Sequence, residues 1–286
     1  MHWRNRRDSF RAHLASKTCA YPGSVYDPIS ARIAEDLGFE VGMFAGSVAS
    51  LTVLGDPDHI LLTLSEFAQQ AYRICRASNL PIMVDADHGY GNALNVKRTV
   101  EELETAGVSA LSIEDTELPH PFGSGGKTSL ISIEEGVGKM KAAVAGRSDC
   151  SLVIAARSSA ISVTGIDDTI ARIKAYQETG VDAIFLIGIK QKQQLEAIAS
   201  ECKLPLFLGG ADADIMDLDY LASQGVSLCL QGHQPVMAAM QATYDALKAL
   251  REGTKASDLN NRFDKNLIKQ WSKVDTFDQW MQDFLE

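Results

Sequence analysis

The stretch Pro81-Ile82-Met83-Val84-Asp85-Ala86-Asp87-His88-Gly89-Tyr90-Gly91 joins a short apolar run to a loop with two acids and two glycines. A short run that is apolar throughout is typical of a strand buried on both faces, as in a parallel sheet. Asp85 and Asp87 are two residues apart, so their carboxylates point to one side of the strand end. Buried carboxylates are costly unless a cation or solvent meets them. The stretch therefore predicts a buried parallel strand that ends in a polar site.

Seven other short apolar runs surround this one and alternate with amphipathic stretches. We predict eight strands, at residues 20–25, 41–45, 82–86, 110–114, 152–156, 183–187, 206–208 and 228–231. Helical patterns between them include residues 29–37, 64–77, 93–106 and 167–179. Several helices end in a glycine just before the next strand, as at Gly107 and Gly180, which is a common helix stop.

Eight strand–helix units favour an α/β fold, a (β/α)₈ TIM-type barrel with a C-terminal helical extension. A doubly wound open sheet is the alternative. That fold normally needs a glycine-rich phosphate-binding turn after the first strand, and Tyr21-Pro22-Gly23-Ser24-Val25-Tyr26 is not such a turn.

The pattern changes after Ala249, so we predict a barrel domain at residues 1–250 and a C-terminal helical arm at 251–286. Residues 258–286 are expected to be helical, with a large apolar face that carries Trp271, Phe277, Trp280 and Phe284. On a monomer these aromatic side chains would form an exposed patch, which favours a subunit contact. Packing of the arm against its own barrel is the alternative.

The composition excludes some classes of partner. The 286 residues have a formal net charge of -10, which argues against nucleic acid or an anionic membrane as a partner. The five cysteines are scattered and form no CxxC pair, which predicts reduced thiols rather than disulfides. No apolar run reaches the roughly 20 residues of a membrane span, and no signal-peptide core follows the basic N-terminus. We therefore expect a cytoplasmic location.

In a barrel, side chains at the carboxyl ends of the strands converge on one mouth. The candidates for such a site are Ser47, Asp58, Asp85, Asp87, Glu114, Asp115, Arg157 and His233. Several acids near one point would repel one another without a cation. Carboxylates without nearby Cys or His pairs suit Mg²⁺, with Mn²⁺ also possible. Arg157 offers a bidentate partner for a carboxylate.

Some of these residues also have structural explanations. Asp58 follows Pro57 and could be only a turn residue, and Asp115 could cap the next segment. His88 could be a loop residue without a role, and His233 could make a structural hydrogen bond. Asp85 and Asp87 are the hardest to explain in this way.

The motif at residues 85–91, the acids Glu114-Asp115 and the pair Ala156-Arg157 together resemble the isocitrate lyase and phosphoenolpyruvate mutase superfamily. The opening at residues 22–32 is similar as well, and the resemblance covers nearly the whole chain. It implies a (β/α)₈ barrel, Mg²⁺ and a small keto-acid or hydroxy-acid substrate. It also implies a homotetramer that exchanges a C-terminal helix.

The branch within this superfamily is indicated by the loop after the fourth strand. Carbon–carbon lyases carry a catalytic Cys there, whereas residues 119–129 contain none. Phosphonopyruvate enzymes carry Lys and then Asn or Thr, where this chain has His120 and Phe122. The chain resembles instead the bacterial oxaloacetate decarboxylase branch, on five stretches: 46–51, 87–96, 114–116, 134–139 and 232–233.

The resemblance assigns roles to individual residues. It implies that Asp87 is the direct metal ligand. Three other acids would hold metal-bound waters: Asp58, Asp85 and Glu114. Ser47 and Arg157 would bind carboxylate and keto oxygens of the substrate, and His233 would lie over the departing carboxylate.

The function that follows is Mg²⁺-dependent decarboxylation of oxaloacetate to pyruvate and CO₂ through a stabilised enolate, with Gly123 to Gly126 in a mobile lid. One alternative is C–P or C–C bond chemistry on a related acid, such as phosphonopyruvate, a substituted malate or methylisocitrate. Another is a degenerate barrel that only binds a keto acid. Two departures keep the alternatives open: Ser159 stands where the family usually has Asn, Glu or Asp, and residues 209–214 lack the tyrosine of the decarboxylase branch.

Overall fold

The computed structural model describes residues 2–259 and 264–286. Its core is one sheet of eight parallel strands whose spatial order is the order of the sequence. The strands are β1 (Gly23–Ser24), β2 (Gly42–Phe44), β3 (Ile82–Asp85), β4 (Ala110–Glu114), β5 (Val153–Ser158), β6 (Ala183–Leu186), β7 (Leu206–Leu208) and β8 (Val226–Cys229). Nearly every strand residue is buried, as the continuous apolar runs predicted.

The sheet curls round until its two ends meet. Ala20, just before β1, forms a parallel bridge with Leu228 of β8. The Ala20 N–H donates to the carbonyl of Ser227 at 3.0 Å, and the Cys229 N–H donates to the carbonyl of Ala20 at 3.0 Å. The predicted TIM-type barrel is therefore confirmed, and the open doubly wound sheet is wrong.

Helices connect the strands. They are α1 (His2–Ala15), α2 (Pro28–Asp36), α3 (Gly46–Ala49), α4 (Leu64–Cys75), α5 (Ala93–Ala106), α6 (Ile133–Gly146), α7 (Ala160–Val163), α8 (Ile166–Gln177), α9 (Lys192–Ala199), α10 (Leu218–Ser223), α11 (Gln234–Arg251), α12 (Lys265–Ser272) and α13 (Val274–Leu285). A π-helical turn, Ser50–Leu54, follows α3, and a 3₁₀ turn, Ala256–Asp258, follows α11.

The helix α1 lies at the amino-terminal end of the barrel, where the sequence indicated no element. Phe10 is fully buried and meets Phe207 of β7 edge to face, with ring centroids 6.3 Å apart. The Nε of Arg7 donates to the carbonyl of Val108 at 3.0 Å, and the Nε of Arg11 donates to that of Ser151 at 2.8 Å. Arginine donors thus satisfy carbonyl groups just before β4 and β5, so the helix is held by hydrogen bonds as well as by Phe10.

The chain divides into two compact units, Met1–Gly232 and His233–Glu286. The first contains all eight strands, and the second contains α11, α12 and α13. The division after residue 250 remains a prediction. Of the helix expected at 258–286, residues 260–263 lie outside the described residues. The rest forms α12 and α13, which are separated at Lys273 because that residue takes a left-handed φ of 60°.

In the second unit, Phe277, Trp280 and Phe284 are all exposed. Within the described residues, no helix is both long and apolar enough to cross a membrane.

Candidate active site

Arg157 joins the carboxyl ends of three neighbouring strands. In β5 it is paired in register with Glu114, the last residue of β4. One of its terminal nitrogens lies 3.1 Å from Oε2 of Glu114, and the other forms a close ion pair with Oδ2 of Asp85, the last residue of β3. The second oxygen of Asp85 accepts a hydrogen bond of 2.9 Å from the Ser112 hydroxyl. The predicted convergence of Asp85, Glu114 and Arg157 is therefore present in the structure.

Asp87 faces the end of β2. Its φ of 48° is unusual for a residue other than glycine, and it turns the side chain towards Gly46. A Cβ atom at Gly46 would lie 2.7 Å from both carboxylate oxygens of Asp87. Ser47, the second residue of α3, is half-buried and follows directly. The absent side chain of Gly46 thus provides the space that the Asp87 carboxylate occupies.

The Asp87 carboxylate accepts no hydrogen bond from the described residues. Its pKa is raised well above the ordinary value by burial first, and then by the charges of Asp85, Asp58 and Glu114, against the opposing effect of Arg157. A carboxylate with a destabilised charge and no donor is well suited to a cation.

Glu114 and Asp58 belong to the same electrostatic group. Burial raises the pKa of Glu114 to about 7, although Arg157 acts in the opposite direction. Asp58 is exposed as a residue, yet partial desolvation of its carboxyl and then the charge of Asp85 raise its pKa. Asp58 therefore lies near enough to the barrel acids to interact with them, although it is in the loop that follows the π-helical turn.

The donor set fits a hydrated hard cation better than a fully protein-coordinated ion. No group of three or more His, Cys, Asp or Glu side chains in the described part of the chain is arranged to hold a metal directly. Mg²⁺ usually keeps several waters and takes only one or two carboxylates from the protein. The prediction that Asp87 is such a direct ligand, and that Asp58, Asp85 and Glu114 hold metal-bound waters, stays a prediction.

Asp115 points away from this group. Its side chain is fully buried, and Oδ2 accepts hydrogen bonds from Arg172 at 2.9 Å, Tyr176 at 2.8 Å and Ser158 at 3.0 Å. Arg172 and Tyr176 belong to α8, so Asp115 links the end of β4 to a helix that packs on the outside of the strands. It does not cap the following helix, because Ser132 caps α6. Successive strand residues point to opposite faces, which separates Asp115 from Glu114.

Three contributions to the site escaped the sequence analysis: the space at Gly46, the hydroxyl of Tyr90 and the ammonium group of Lys139. Lys139 of α6 is buried, and its Nζ donates to the carbonyl of His88 at 2.9 Å. The signal was a lysine within the apolar face of α6, where Gly136, Met140 and Ala143 are also buried. His88 is itself buried, and desolvation and then Lys139 lower its pKa to about 4.

The loop after β4 is closed by hydrogen bonds at its base and is exposed at its tip. Thr116 and Leu130 form an antiparallel bridge, and the Ser129 hydroxyl donates to Glu117 at 2.6 Å. Between these paired residues, Gly123, Gly125 and Gly126 all have positive φ, and Phe122 is fully exposed. The role of this loop as a lid stays a prediction.

The roles of two residues named in the sequence analysis are not tested by the structure. His233 is half-buried and immediately precedes α11, at the start of the second unit, and its role remains a prediction. The hydroxyl of Ser159, between β5 and α7, is buried and has no hydrogen-bond partner among the described residues.

A cavity of about 620 Å³ lies at the other end of the barrel, against the amino ends of β7 and β8. Its lining includes Lys17, Cys202 and Lys203 but none of the predicted site residues. We place the candidate site at the carboxyl ends of the strands because the clustered acids and Arg157 lie there.

Comparison with known proteins gives consistent results. The family model described as phosphoenolpyruvate phosphomutase matches residues 10–251. The chain is 61% identical over 253 residues to an oxaloacetate decarboxylase of Bradyrhizobium diazoefficiens, covering 88% of each chain. It is 53% identical over 285 residues to an oxaloacetate decarboxylase of Bradyrhizobium sp. strain ORS 278, covering 100% of this chain and 99% of the relative.

A solved structure of a phosphonopyruvate hydrolase complex with oxalate and Mg²⁺ has a similar fold. It aligns with a TM-score of 0.84 at 26% identity and covers 98% of this chain and 99% of its own. Fold, motifs and relatives thus agree with the resemblance found in the sequence. The chain belongs to the phosphoenolpyruvate phosphomutase family, within the isocitrate lyase and phosphoenolpyruvate mutase superfamily.

Proposed function

We propose that this chain catalyses the Mg²⁺-dependent decarboxylation of oxaloacetate to pyruvate and CO₂. The observation that carries the proposal is the Asp87 carboxylate, whose pKa is raised well above its ordinary value and which has no donor among the described residues, in a chain 61% identical to an oxaloacetate decarboxylase. The reaction needs no nucleophile, which agrees with the absence of Cys from residues 119–129.

Asp87 would hold the cation directly, and Asp58, Asp85 and Glu114 would hold its waters. Mn²⁺ has the same preference for oxygen donors and is expected to substitute. When bound, the cation supplies a Lewis acid for the oxygens of the 2-keto acid. The raised pKa of Glu114 indicates how unfavourable the charge on these acids is without that cation.

Arg157 would stabilise negative charge as the carboxylate departs. Its two terminal nitrogens are paired with Asp85 and Glu114, and its Nε is buried without a partner in the described part of the chain. A fixed, fully charged guanidinium beside a developing enolate lowers the barrier without reorganising. Ser47 would orient the substrate carboxylate, and His233 would bind the carboxylate that leaves.

The loop that carries Phe122 would close over the bound substrate. Its glycines permit the required change in backbone angles, and an apolar tip would exclude water from the enolate. A proton from water or from a nearby acid then adds to the enolate carbon, which gives pyruvate and completes the reaction.

A second candidate is C–P bond cleavage in a substrate such as phosphonopyruvate. The specific observation in its favour is the fold shared with the phosphonopyruvate hydrolase at 26% identity. His120 and Phe122 replace the polar residues expected for that chemistry, so we rank it second. Phosphate release from phosphonopyruvate, compared with pyruvate release from oxaloacetate, separates the two candidates.

We also propose that the enzyme is a cytoplasmic homotetramer in which C-terminal helices are exchanged. The exposed Phe277, Trp280 and Phe284 of α13 support a subunit contact, since contiguous apolar patches mark such contacts. Light scattering of the full chain and of a Trp280→Ser/Phe284→Ser variant tests this. A wild-type monomer, or an unchanged mass in the variant, contradicts the proposal.

The deciding experiment is pyruvate formation from oxaloacetate with Mg²⁺, with and without chelator, corrected for the rate with the metal alone. We expect a chelator-sensitive rate that Asp87→Ala abolishes. Asp8→Asn is the matched control, because Asp8 forms only an exposed ion pair on α1. A corrected rate near zero for the wild type, or a near-normal rate for Asp87→Ala, would reject the proposal.

A further inference from the structure

The hydroxyl of Tyr90 is buried and has no hydrogen-bond partner in the described part of the chain. Native proteins leave few such groups, because a buried donor without an acceptor loses its hydrogen bonds to water and gains nothing in return. Two other tyrosines of the barrel have acceptors: the hydroxyl of Tyr176 donates to Asp115 at 2.8 Å, and that of Tyr21 donates to the carbonyl of Met216 at 2.6 Å. The unpartnered hydroxyl of Tyr90 therefore requires an explanation.

The surrounding loop holds Tyr90 in place. Its φ of 60° is maintained between two constrained glycines, and the Thr99 hydroxyl donates to the carbonyl of Gly89 at 3.0 Å. A Cβ at Gly89 would lie 2.4 Å from Cγ2 of Val96, so the backbone is closely packed against α5. The ring of Tyr90 packs near that of Phe67, with centroids 6.3 Å apart. The loop therefore directs the hydroxyl to its buried position.

The charged groups that influence this hydroxyl are those of the candidate site. Burial first, and then the charges of Asp87, Asp85 and Asp58, raise the pKa of Tyr90 well above its usual range. The hydroxyl is therefore a neutral donor near three carboxylates, yet it is within hydrogen-bond distance of none of them. An acceptor other than these carboxylates, such as an ordered water, would satisfy the hydroxyl.

We infer that Tyr90 is a positioning residue of the metal site, and that its hydroxyl completes its hydrogen bonding with a water of a divalent cation held at Asp87. The inference rests on the proposed metal site and adds a group that the carboxylates alone do not provide. Mg²⁺ retains waters whose orientation depends on neighbouring protein groups, and such outer partners affect metal affinity.

The test is Tyr90→Phe, which removes only the hydroxyl. Binding of Mn²⁺ and of Mg²⁺ to the substrate-free protein is measured by calorimetry, and thermal unfolding is measured with each metal and with chelator. We expect metal affinity to weaken about three- to tenfold, the effect of one hydrogen bond. In chelator, the variant should unfold at the same temperature as the wild type or higher, since an unsatisfied donor is gone. The rise in unfolding temperature caused by metal should be smaller.

Tyr21→Phe is the matched control, because its hydroxyl already has an acceptor in the protein. This variant should be less stable in chelator and should bind both metals as the wild type does. In the decarboxylase assay, Tyr90→Phe should need more Mg²⁺ for half-maximal rate, with a much smaller change in the rate at saturating Mg²⁺.

Two results overturn the inference while leaving the proposed function intact. One is wild-type metal affinity in Tyr90→Phe; the other is a loss of stability in chelator, which would show a purely structural hydroxyl. Failure of the wild-type chain to bind either metal overturns the inference together with the metal-dependent function. The wild-type titration therefore distinguishes the two failures.

Discussion

Gly46 and Asp87 occupy adjoining space at the mouth of the barrel: a Cβ on Gly46 would lie 2.7 Å from both oxygens of the Asp87 carboxylate. The backbone of Gly46 has no positive φ, so alanine is conformationally acceptable there. The three atoms nearest to the added methyl group all belong to the Asp87 carboxylate. A substitution at Gly46 therefore tests the proposed metal site separately from the fold.

Gly46→Ala should weaken metal binding by at least about tenfold, because the Asp87 carboxylate must move from its place. The far-ultraviolet circular dichroism spectrum and the oligomeric state should be those of the wild type. The control is Gly138→Ala in α6, where nothing lies within 4 Å of an added Cβ; that variant should be as stable as the wild type or up to about 1 kcal/mol more stable. Undiminished metal affinity in Gly46→Ala would contradict the assignment of Asp87 as the ligand.

Arg157→Lys should lower kcat/KM by about 100-fold or more, because an ammonium group cannot pair with Asp85 and Glu114 in the way the guanidinium fork does. Arg157→Met should in addition destabilise the metal-free protein by about 3 kcal/mol, since two acids lose their buried partner. Steady-state kinetics and urea unfolding measure the two effects. Equal kcat/KM in Arg157→Lys and wild type would remove Arg157 from the mechanism.

Glu114 and Asp115 are neighbours in sequence with opposite expected behaviour. Because the pKa of Glu114 is raised to about 7, its neutral form favours the folded state, and this contribution is lost as pH rises from about 4.5 through 7. Glu114→Gln should therefore stabilise the chelated protein at pH 8 while reducing metal affinity and turnover.

Asp115→Asn should instead lower the free energy of unfolding by about 2 kcal/mol, because Arg172 loses the buried one of its two anionic partners and keeps the ion pair with Asp168. The metal affinity of the folded protein should stay close to that of the wild type. Urea unfolding and metal titration of both variants, at pH 8, test the pair. If Glu114→Gln lowered the stability and Asp115→Asn lowered the metal affinity, then Glu114 and Asp115 would have been assigned to the wrong faces at the end of β4.

Lowering the pH should weaken the contacts that hold α1 against the barrel. Partial burial alone would raise the pKa of Asp149, but hydrogen bonds from Ser151 and the pairing with Arg7 hold it well below the ordinary value. Because the pKa of Asp149 is lower in the folded state than in the unfolded state, its charged form stabilises the fold above about pH 3.8. This stabilisation is lost as the pH falls below that value. Asp149→Asn should therefore be less stable than the wild type at pH 7, with a difference that shrinks between pH 4 and pH 2. A constant difference over that range, in urea unfolding, would contradict this explanation.

Most of the strands could be predicted from sequence because they lie in short, mainly apolar runs, and β4 and β7 agree with the predicted bounds residue for residue. The helix α5 does so too, since Asn92 caps its start and Gly107 ends it with a φ of 92°. At the site, Asp85, Glu114 and Arg157 could be brought together by the rule that strand ends converge. To apply that rule, only the positions of the strands in the sequence had to be known.

Other features depend on contacts that no local pattern records. The helix α1 has little apolar character besides Phe10, and the acceptors of its arginines lie about a hundred residues away in sequence. The break between α12 and α13 falls at Lys273, which lacks the glycine that normally marks a left-handed residue. The space at Gly46 and the hydroxyl of Tyr90 depend on side chains from different loops.

The closure of the barrel has a consequence for the order of folding. His13 of α1 contacts the carbonyl of Ser227 across 214 residues of sequence, and Arg7 reaches Val108 across 101. During synthesis the first helix leaves the ribosome long before β8 exists, so it cannot reach its final position until nearly the whole first unit has been made. The amino-terminal segment, although translated first, is thus among the last parts to dock, and a ribosome-bound chain that stops before residue 227 exposes Phe10 and the unpaired edges of the sheet.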